Sequence, residues 1–311
     1  MNSYLVTGGA GFIGSNIVGE LVSRGHQVRV LDNFLTGKQQ NLVSFEGKID
    51  LIEGDIRDLS TCRQAVDGIE YVLHQAALPS VPLSVEDPIT TTEINVNGIL
   101  NMLIASRDAG VKRFVFASSS SIYGDDSTLP KTEEKIGKPL SPYAVSKLMG
   151  EKYCQVFSRI YGLPTVSLRY FNVFGPRQDP KSQYAAVIPD FITKILRGKR
   201  PTIYGNGEQT RDFTYVSNVV EANILSAQVQ DKSGIAFNLA CGERTTVNEL
   251  LNKINAILGT DFHAVYEDAR PGDILHSYAD ISVAKKILGY SPHVSFEKGI
   301  RKTLEWYRDQ E

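Results

Sequence analysis

The sequence predicts an α/β fold, a doubly wound parallel sheet joined to a smaller C-terminal α/β domain. Two observations carry this. Short apolar runs rich in β-branched residues alternate with longer helical stretches, the rhythm of βαβ units whose sheet is covered on both faces. After about Phe174 that rhythm gives way to helices, short extended pieces and polar turns such as Tyr204-Gly-Asn-Gly-Glu208. The division expected is residues 1–174 for the sheet domain and 175–311 for the second, with some later segments returning to the first.

In chain order the expected strands are Ser3–Thr7, Gln27–Leu31, Asp50–Glu53, Tyr71–His74, Arg113–Ala117 and Thr165–Arg169. Between them Gly25, Gly110 and Gly162 stand just past helix ends, where a left-handed residue is needed. Asp87-Pro88 and Ser141-Pro142 each set a capping side chain before a proline at the first helical position. Thr246 and Glu249 have the spacing of a capping box, and Ser295 caps a final helix carrying Ile300, Leu304 and Trp306-Tyr307.

The chain has 311 residues, 42% of them apolar, enough to bury a large core. With 33 basic and 35 acidic side chains its net charge is -2, so no global field draws nucleic acid or a membrane surface. The basic group Arg197, Lys199 and Arg200 follows an expected helix, where cations meet the negative end of the dipole. Cys62, Cys154 and Cys241 are too far apart in sequence for a redox or zinc motif, and no metal is expected. No apolar run reaches about 18 residues and the first strand leads straight into a glycine loop, so the reading is a soluble, cytoplasmic protein.

That loop, Thr7-Gly-Gly-Ala-Gly-Phe-Ile-Gly14, follows the first strand and opens a helix, with Gly8, Gly11 and Gly14 at the spacing of a Rossmann-type dinucleotide site. A diphosphate needs backbone N–H groups at a helix N-terminus and no Cβ in the way. Asp32 ends the second strand 18 residues past Gly14, where its carboxylate can accept from ribose hydroxyls. NAD is therefore favoured over NADP: no cation occurs from Asn33 to Gly37, and Lys38 is the nearest that could serve a 2′-phosphate. Asp55, after the third strand, reads equally as an adenine contact or a helix cap.

Tyr143 and Lys147 are four residues apart just inside a helix and share a face. A phenol of ordinary pKa near 10 is a poor base at neutral pH, and a neighbouring ammonium plus a positive nicotinamide ring should lower it. Ser118-Ser-Ser-Ser121 lies 22 to 25 residues upstream at a strand end, so one of these hydroxyls can bond the reacting oxygen.

Together these residues resemble the extended short-chain dehydrogenases, and among them the UDP-hexose 4-epimerases. TGGAGFIG, LDNF, GDIRD, HQAA, NVNG at Asn95–Gly98, SSSSIYGD, SPYAVSK, LRYFNVFGPRQ, RDFTYV and RPGD stand in that family's order across nearly the whole chain. The resemblance implies a catalytic triad of Ser119, Tyr143 and Lys147, with Ser120 and Ser121 as alternatives for the hydroxyl. It implies an NAD site lined by Phe12, Ile13, Asp32, Asn33, Asp55, Ile56, Gln75, Ala76 and Ala77 and supported by Asn95. Phe171 and Asn172 would fall where nicotinamide and substrate meet. Arg211 and Arg270, with Asp273 of the RPGD motif, would hold the UDP-sugar, a planar guanidinium being suited to phosphate oxygens. The implied reaction has Tyr143 take the 4-hydroxyl proton while the C4 hydride passes to NAD, after which the keto sugar turns over and takes the hydride back. The family also implies a homodimer.

Ser120 and Ser121 stand where related 4,6-dehydratases carry an Asp-Glu pair, and Ser121 where decarboxylating relatives carry glutamate, which argues against both reactions. Ser277, seven residues after Arg270, aligns with a position that is commonly tyrosine in epimerases restricted to UDP-glucose and UDP-galactose. Its small side chain leaves room for an N-acetyl group. With HQAALPSVPLS and RPGDILHSYAD, it makes the chain most similar to UDP-N-acetylglucosamine 4-epimerases, while uronic-acid epimerases and a non-catalytic NAD sensor are the alternatives.

Overall fold

The computed structural model describes residues 1–180, 186–269 and 275–310. Seven strands form one parallel sheet, in the spatial order Ile235–Leu239, Thr165–Tyr170, Arg113–Ser119, Tyr71–His74, Ser3–Thr7, Gln27–Asp32 and Asp50–Glu53. The order reverses beside Ser3–Thr7, whose two neighbours in register at Thr7 are Leu31 and His74. In a doubly wound sheet the crevice at such a switch point, beyond the carboxyl ends of the strands, is where ligands lie.

Successive residues of a strand face opposite sides, and both sides are covered. Tyr4 and Val6 enter one apolar cluster and Leu5 enters the other. Three strands run past their expected ends, to Asp32, Ser119 and Tyr170. The ladder pairs Ser119 with Tyr170, so the serine run is held by the sheet and not by a loose turn.

The strand Ile235–Leu239 was not expected from sequence. It pairs with Thr165–Tyr170 as the outermost strand, and the helix Val216–Gln228 before it packs on the helix Phe12–Ser23. The expected helix punctuation is present. Gly25, Gly110 and Gly162 have φ of +73°, +69° and +70°. Asp87, Ser141 and Ser295 cap their helices, and Thr246 and Glu249 form the capping box. In the final helix, Phe296–Arg308, Ile300, Leu304 and Tyr307 are buried. Among the described residues no helix is long and apolar enough to cross a membrane.

Candidate active site

At the switch point opens a cleft of about 910 Å³. Its floor is the glycine loop. Gly8 has φ +66°, and a Cβ there would lie 2.7 Å from the Ala76 nitrogen; a Cβ on Gly14 would lie 2.1 Å from the Gly8 carbonyl oxygen. Only glycine lets the loop pass beneath both neighbours. Gly11 caps the helix Phe12–Ser23 without a side chain, so the N–H groups of its first turn have no side-chain acceptor and suit an anion. Thr7 Oγ1 accepts from the Ala76 N–H at 3.2 Å and lies 2.8 Å from His74 Nδ1, fixing the facing loop. Burial drives the His74 pKa down to about 3, so this imidazole stays neutral.

Phe12, Ile13, Asp32, Asn33, Asp55, Ile56, Gln75, Ala76 and Ala77 all line this cleft. Asp32 accepts from the Ala10 N–H at 2.8 Å and the Phe34 N–H at 2.8 Å, which aims its carboxylate at the cleft. Burial raises its pKa and those two bonds oppose the rise. Asp55 is not a helix cap: Asp58 caps Leu59–Val66. Asp55 instead accepts from Asn33 Nδ2 at 2.8 Å and from the Arg57 guanidinium, which holds its pKa near about 2. Lys38 is taken up by Asp179 at 2.8 Å, which leaves it poorly placed for a 2′-phosphate. The donors, the glycine cradle and the Asp32 carboxylate thus fit NAD.

Tyr143 and Lys147 enter the same cleft from the helix Pro142–Tyr161. Ser141 Oγ accepts from the Ala144 N–H at 3.1 Å, and Ser84 Oγ from the Tyr143 N–H at 3.1 Å, anchoring the first turn. Lys147 is 4% exposed; its Nζ donates to the Ala117 carbonyl at 2.8 Å and lies 5.8 Å from the Tyr143 ring centre. The Ser119 hydroxyl neighbours the Tyr143 phenol and acts to lower its pKa.

Burial governs the electrostatics of this pair. Burial pushes the Tyr143 phenol up and the Ser119 hydroxyl only partly offsets this, while burial pulls Lys147 down to about 7. Burial therefore decides the direction at both groups and favours the protonated phenol.

Ser118 and Ser119 end the strand and face opposite ways, while Ser120 and Ser121 lie in the turn that follows. Ser118 borders the cleft, but its Oγ is engaged, donating to buried Glu151 Oε1 at 2.6 Å. Ser119 faces Tyr143 and accepts from the Ser121 N–H at 3.1 Å, which opens the short 3-10 turn Ser120–Tyr123.

Several expected contacts are placed otherwise. Phe171 is wholly buried with its ring 5.9 Å from that of Tyr123, so it belongs to the core; the preceding residue, Tyr170, lines the cleft and donates to Gln75 Oε1 at 3.1 Å. Asn95 lies behind the cleft wall, accepting from the Leu78 N–H at 2.7 Å and donating to Ser146 Oγ at 3.1 Å. It ties the loop after Tyr71–His74 to the Tyr143 helix rather than lining the NAD site. Asn172, with φ +33°, donates to the Asp212 carbonyl at 3.3 Å. Arg211 donates to the carbonyls of Thr210 and Leu275, and the Ser277 N–H reaches Thr210 O at 3.0 Å, so Arg211 and Ser277 sit side by side. Arg270 and Asp273 lie outside the described residues.

Sequence reasoning missed Tyr170, Arg177 and Asp212. Buried Asp212 accepts from the N–H groups of Cys241, Gly242 and Ala279, drawing three segments together beside Arg211. The residue pattern D-x-x after a short strand carries no signal for this.

Residues 4–240 match the model of the NAD dependent epimerase/dehydratase family. A putative UDP-glucose 4-epimerase of Methanocaldococcus jannaschii is 40% identical over 307 residues, covering 98% of each chain. The solved UDP-N-acetylglucosamine 4-epimerase of Methanobrevibacter ruminantium M1, in complex with UDP-N-acetylmuramic acid, is 42% identical with a TM-score of 0.96, over 100% of this chain and 99% of that one. The UDP-glucuronic acid 4-epimerase of Bacillus cereus, solved with UDP-glucuronic acid and NAD, is 31% identical with a TM-score of 0.92, over 99% and 100%. The dinucleotide cradle, the paired tyrosine and lysine, and likeness over the full length place this chain in the NAD dependent epimerase/dehydratase family, with NAD as its cofactor.

Proposed function

We propose that this protein is a UDP-N-acetylglucosamine 4-epimerase. The broader activity, NAD-dependent 4-epimerisation of a UDP-sugar, follows from its family and relatives. The observation that supports the N-acetylated substrate is Ser277, a small side chain beside Arg211, where a bulky one would narrow the sugar pocket. The similar methanogen enzyme, solved with an N-acetylated UDP-sugar, supports it too.

Tyr143 takes the reacting hydroxyl's proton, Ser119 orients that hydroxyl from its place beside the phenol, and Lys147, held by the Ala117 carbonyl, stands next to the Tyr143 ring. NAD, when bound, supplies a reversible hydride acceptor and a positive ring. Arg211 holds the diphosphate while the sugar presents either face.

Proton NMR of the anomeric signals tests the reading. The purified protein, with no NAD added, should convert UDP-N-acetylglucosamine to its galacto epimer faster than UDP-glucose. Preference for UDP-glucose overturns the role of Ser277; conversion of UDP-glucuronate or its N-acetylated form alone assigns a uronic-acid epimerase; conversion of none, with NAD bound, assigns a sensor.

A homodimer is part of the same proposal. Val145, Met149, Val156 and Ile160 stand 38–66% exposed on one face of the helix Pro142–Tyr161, an apolar stripe beside the active site. Sedimentation should give twice the 34.3 kDa chain mass, and Val156→Glu with Ile160→Glu should give the monomer; a monomeric parent protein refutes the pairing.

A further inference from the structure

We propose that Arg177 is a cofactor anchor whose guanidinium binds the NAD diphosphate, carried on a strap, residues 175–179, pinned across the cleft mouth. The inference rests on NAD binding and is independent of which sugar is used.

Arg177 lines the dinucleotide cleft together with Gly11, Phe12 and Ile13. Its Nη1 donates to the Ser15 carbonyl at 2.9 Å, and Ser15 N–H in turn donates to Gly11 O at 3.0 Å. The guanidinium therefore stands beside the opening turns of the helix whose N-terminus would receive a diphosphate. Its face lies 5.3 Å from the centre of the Phe45 ring, which fixes the plane of the fork. Among the described residues no carboxylate pairs with it, and burial lowers its pKa. A half-buried cation with no anionic partner among the described residues, inside a site built for a dianionic linkage, is an unfinished ion pair.

The backbone supports the same reading. Arg177 has φ +68°, a left-handed conformation unusual for a side chain of this size, and such strain persists only where the surroundings hold it. They do so from both sides. Asn16 Nδ2 donates to Pro176 O at 3.1 Å, Lys38 pairs with Asp179 at 2.8 Å, and the Tyr307 hydroxyl of the final helix donates to the Gln178 carbonyl. The strap is thus tied to the glycine-loop helix, to the segment after the second strand and to the final helix, with the guanidinium turned inward. A strap so pinned explains why the cofactor would stay through turnover: the diphosphate cannot leave without breaking a charged contact under a closed span.

The experiment is the rate of NAD release from the holoenzyme, followed after dilution into an NAD-scavenging dehydrogenase mixture, for wild type, Arg177→Gln, Arg177→Lys and Arg177→Ala. Arg177→Gln keeps a donor for Ser15 and loses the charge, and should release NAD roughly 10- to 100-fold faster, the factor that a charged hydrogen bond is worth. Arg177→Lys should fall between it and wild type, since it keeps the charge without the fork. Arg200→Gln, whose parent side chain binds the carbonyls of His263 and Ala264 far from the cleft, should release NAD as wild type does. Melting curves at saturating NAD identify any variant that fails to fold, and the Gln and Lys forms decide the question if Ala does. A wild-type release rate in Arg177→Gln, or equal rates in Arg177→Lys and Arg177→Gln, would overturn the proposal, since the charge would then not be in use.

Discussion

Replacing Tyr143 by phenylalanine is expected to lower turnover by roughly 10²- to 10⁴-fold, the usual contribution of a positioned acid or base, while leaving bound NAD in place. The ring that packs in the cleft is retained; only the hydroxyl facing Ser119 is lost. The electrostatics give the reason for so large an effect. In the protein alone burial favours the neutral phenol and draws Lys147 down to about 7, so the proton is held until a further positive charge enters the cleft. A positive nicotinamide ring beside Tyr143 would favour loss of that proton. Turnover and the NAD content of the purified variant are the measurements. Full turnover in Tyr143→Phe removes the tyrosine from the chemistry, and loss of NAD along with turnover makes its role a binding one.

The second large effect lies about two helical turns further on. Glu151 and Arg169 are 1% and 3% exposed and meet through Nε–Oε1 and Nη2–Oε2 contacts of 2.9 Å each. Arg169 Nη1 also donates to the Tyr123 hydroxyl and to the Glu133 carbonyl, both at 2.9 Å. Burial acts to lower the arginine's pKa, and its carboxylate partner more than restores it. Glu151→Ala leaves that guanidinium buried and unpaired, a change that typically costs about 3–5 kcal/mol. Urea denaturation of the holoenzyme should show it, and replacing both residues by apolar ones of similar volume should recover most of the loss. A single-variant cost below about 1 kcal/mol would mean that water or rearrangement reaches the cation. Because Glu151 also takes the Ser118 hydroxyl, the variant should slow turnover through the neighbouring Ser119 as well.

Much of this was legible in the residues. The glycine loop and Asp32 are local devices: their spacing alone sets a tight turn, a helix start and an acid at a strand end. Tyr143 and Lys147 are likewise fixed by a single helix. What could not be read depends on alternation or on distant packing. Every residue of Thr165–Tyr170 is buried, so no polar pattern tells that Tyr170 and not Phe171 reaches the cleft. Ser118 and Ser119 are chemically identical and are told apart only by which face of the sheet each takes. Asp55 had two local readings of equal merit, and Asp58, three residues on, takes the cap. Arg177 carries no local signal because its place is set by a strap reaching another part of the chain.

The late strand Ile235–Leu239 bears on how the chain can come off a ribosome. Its partner, Thr165–Tyr170, emerges some 65 residues earlier, and until residue 239 follows, that all-buried strand is an open edge able to recruit a neighbouring nascent chain. The sheet that cradles the nucleotide therefore closes only after the segments between residues 170 and 235 have been made, so its last edge forms as a long-range event.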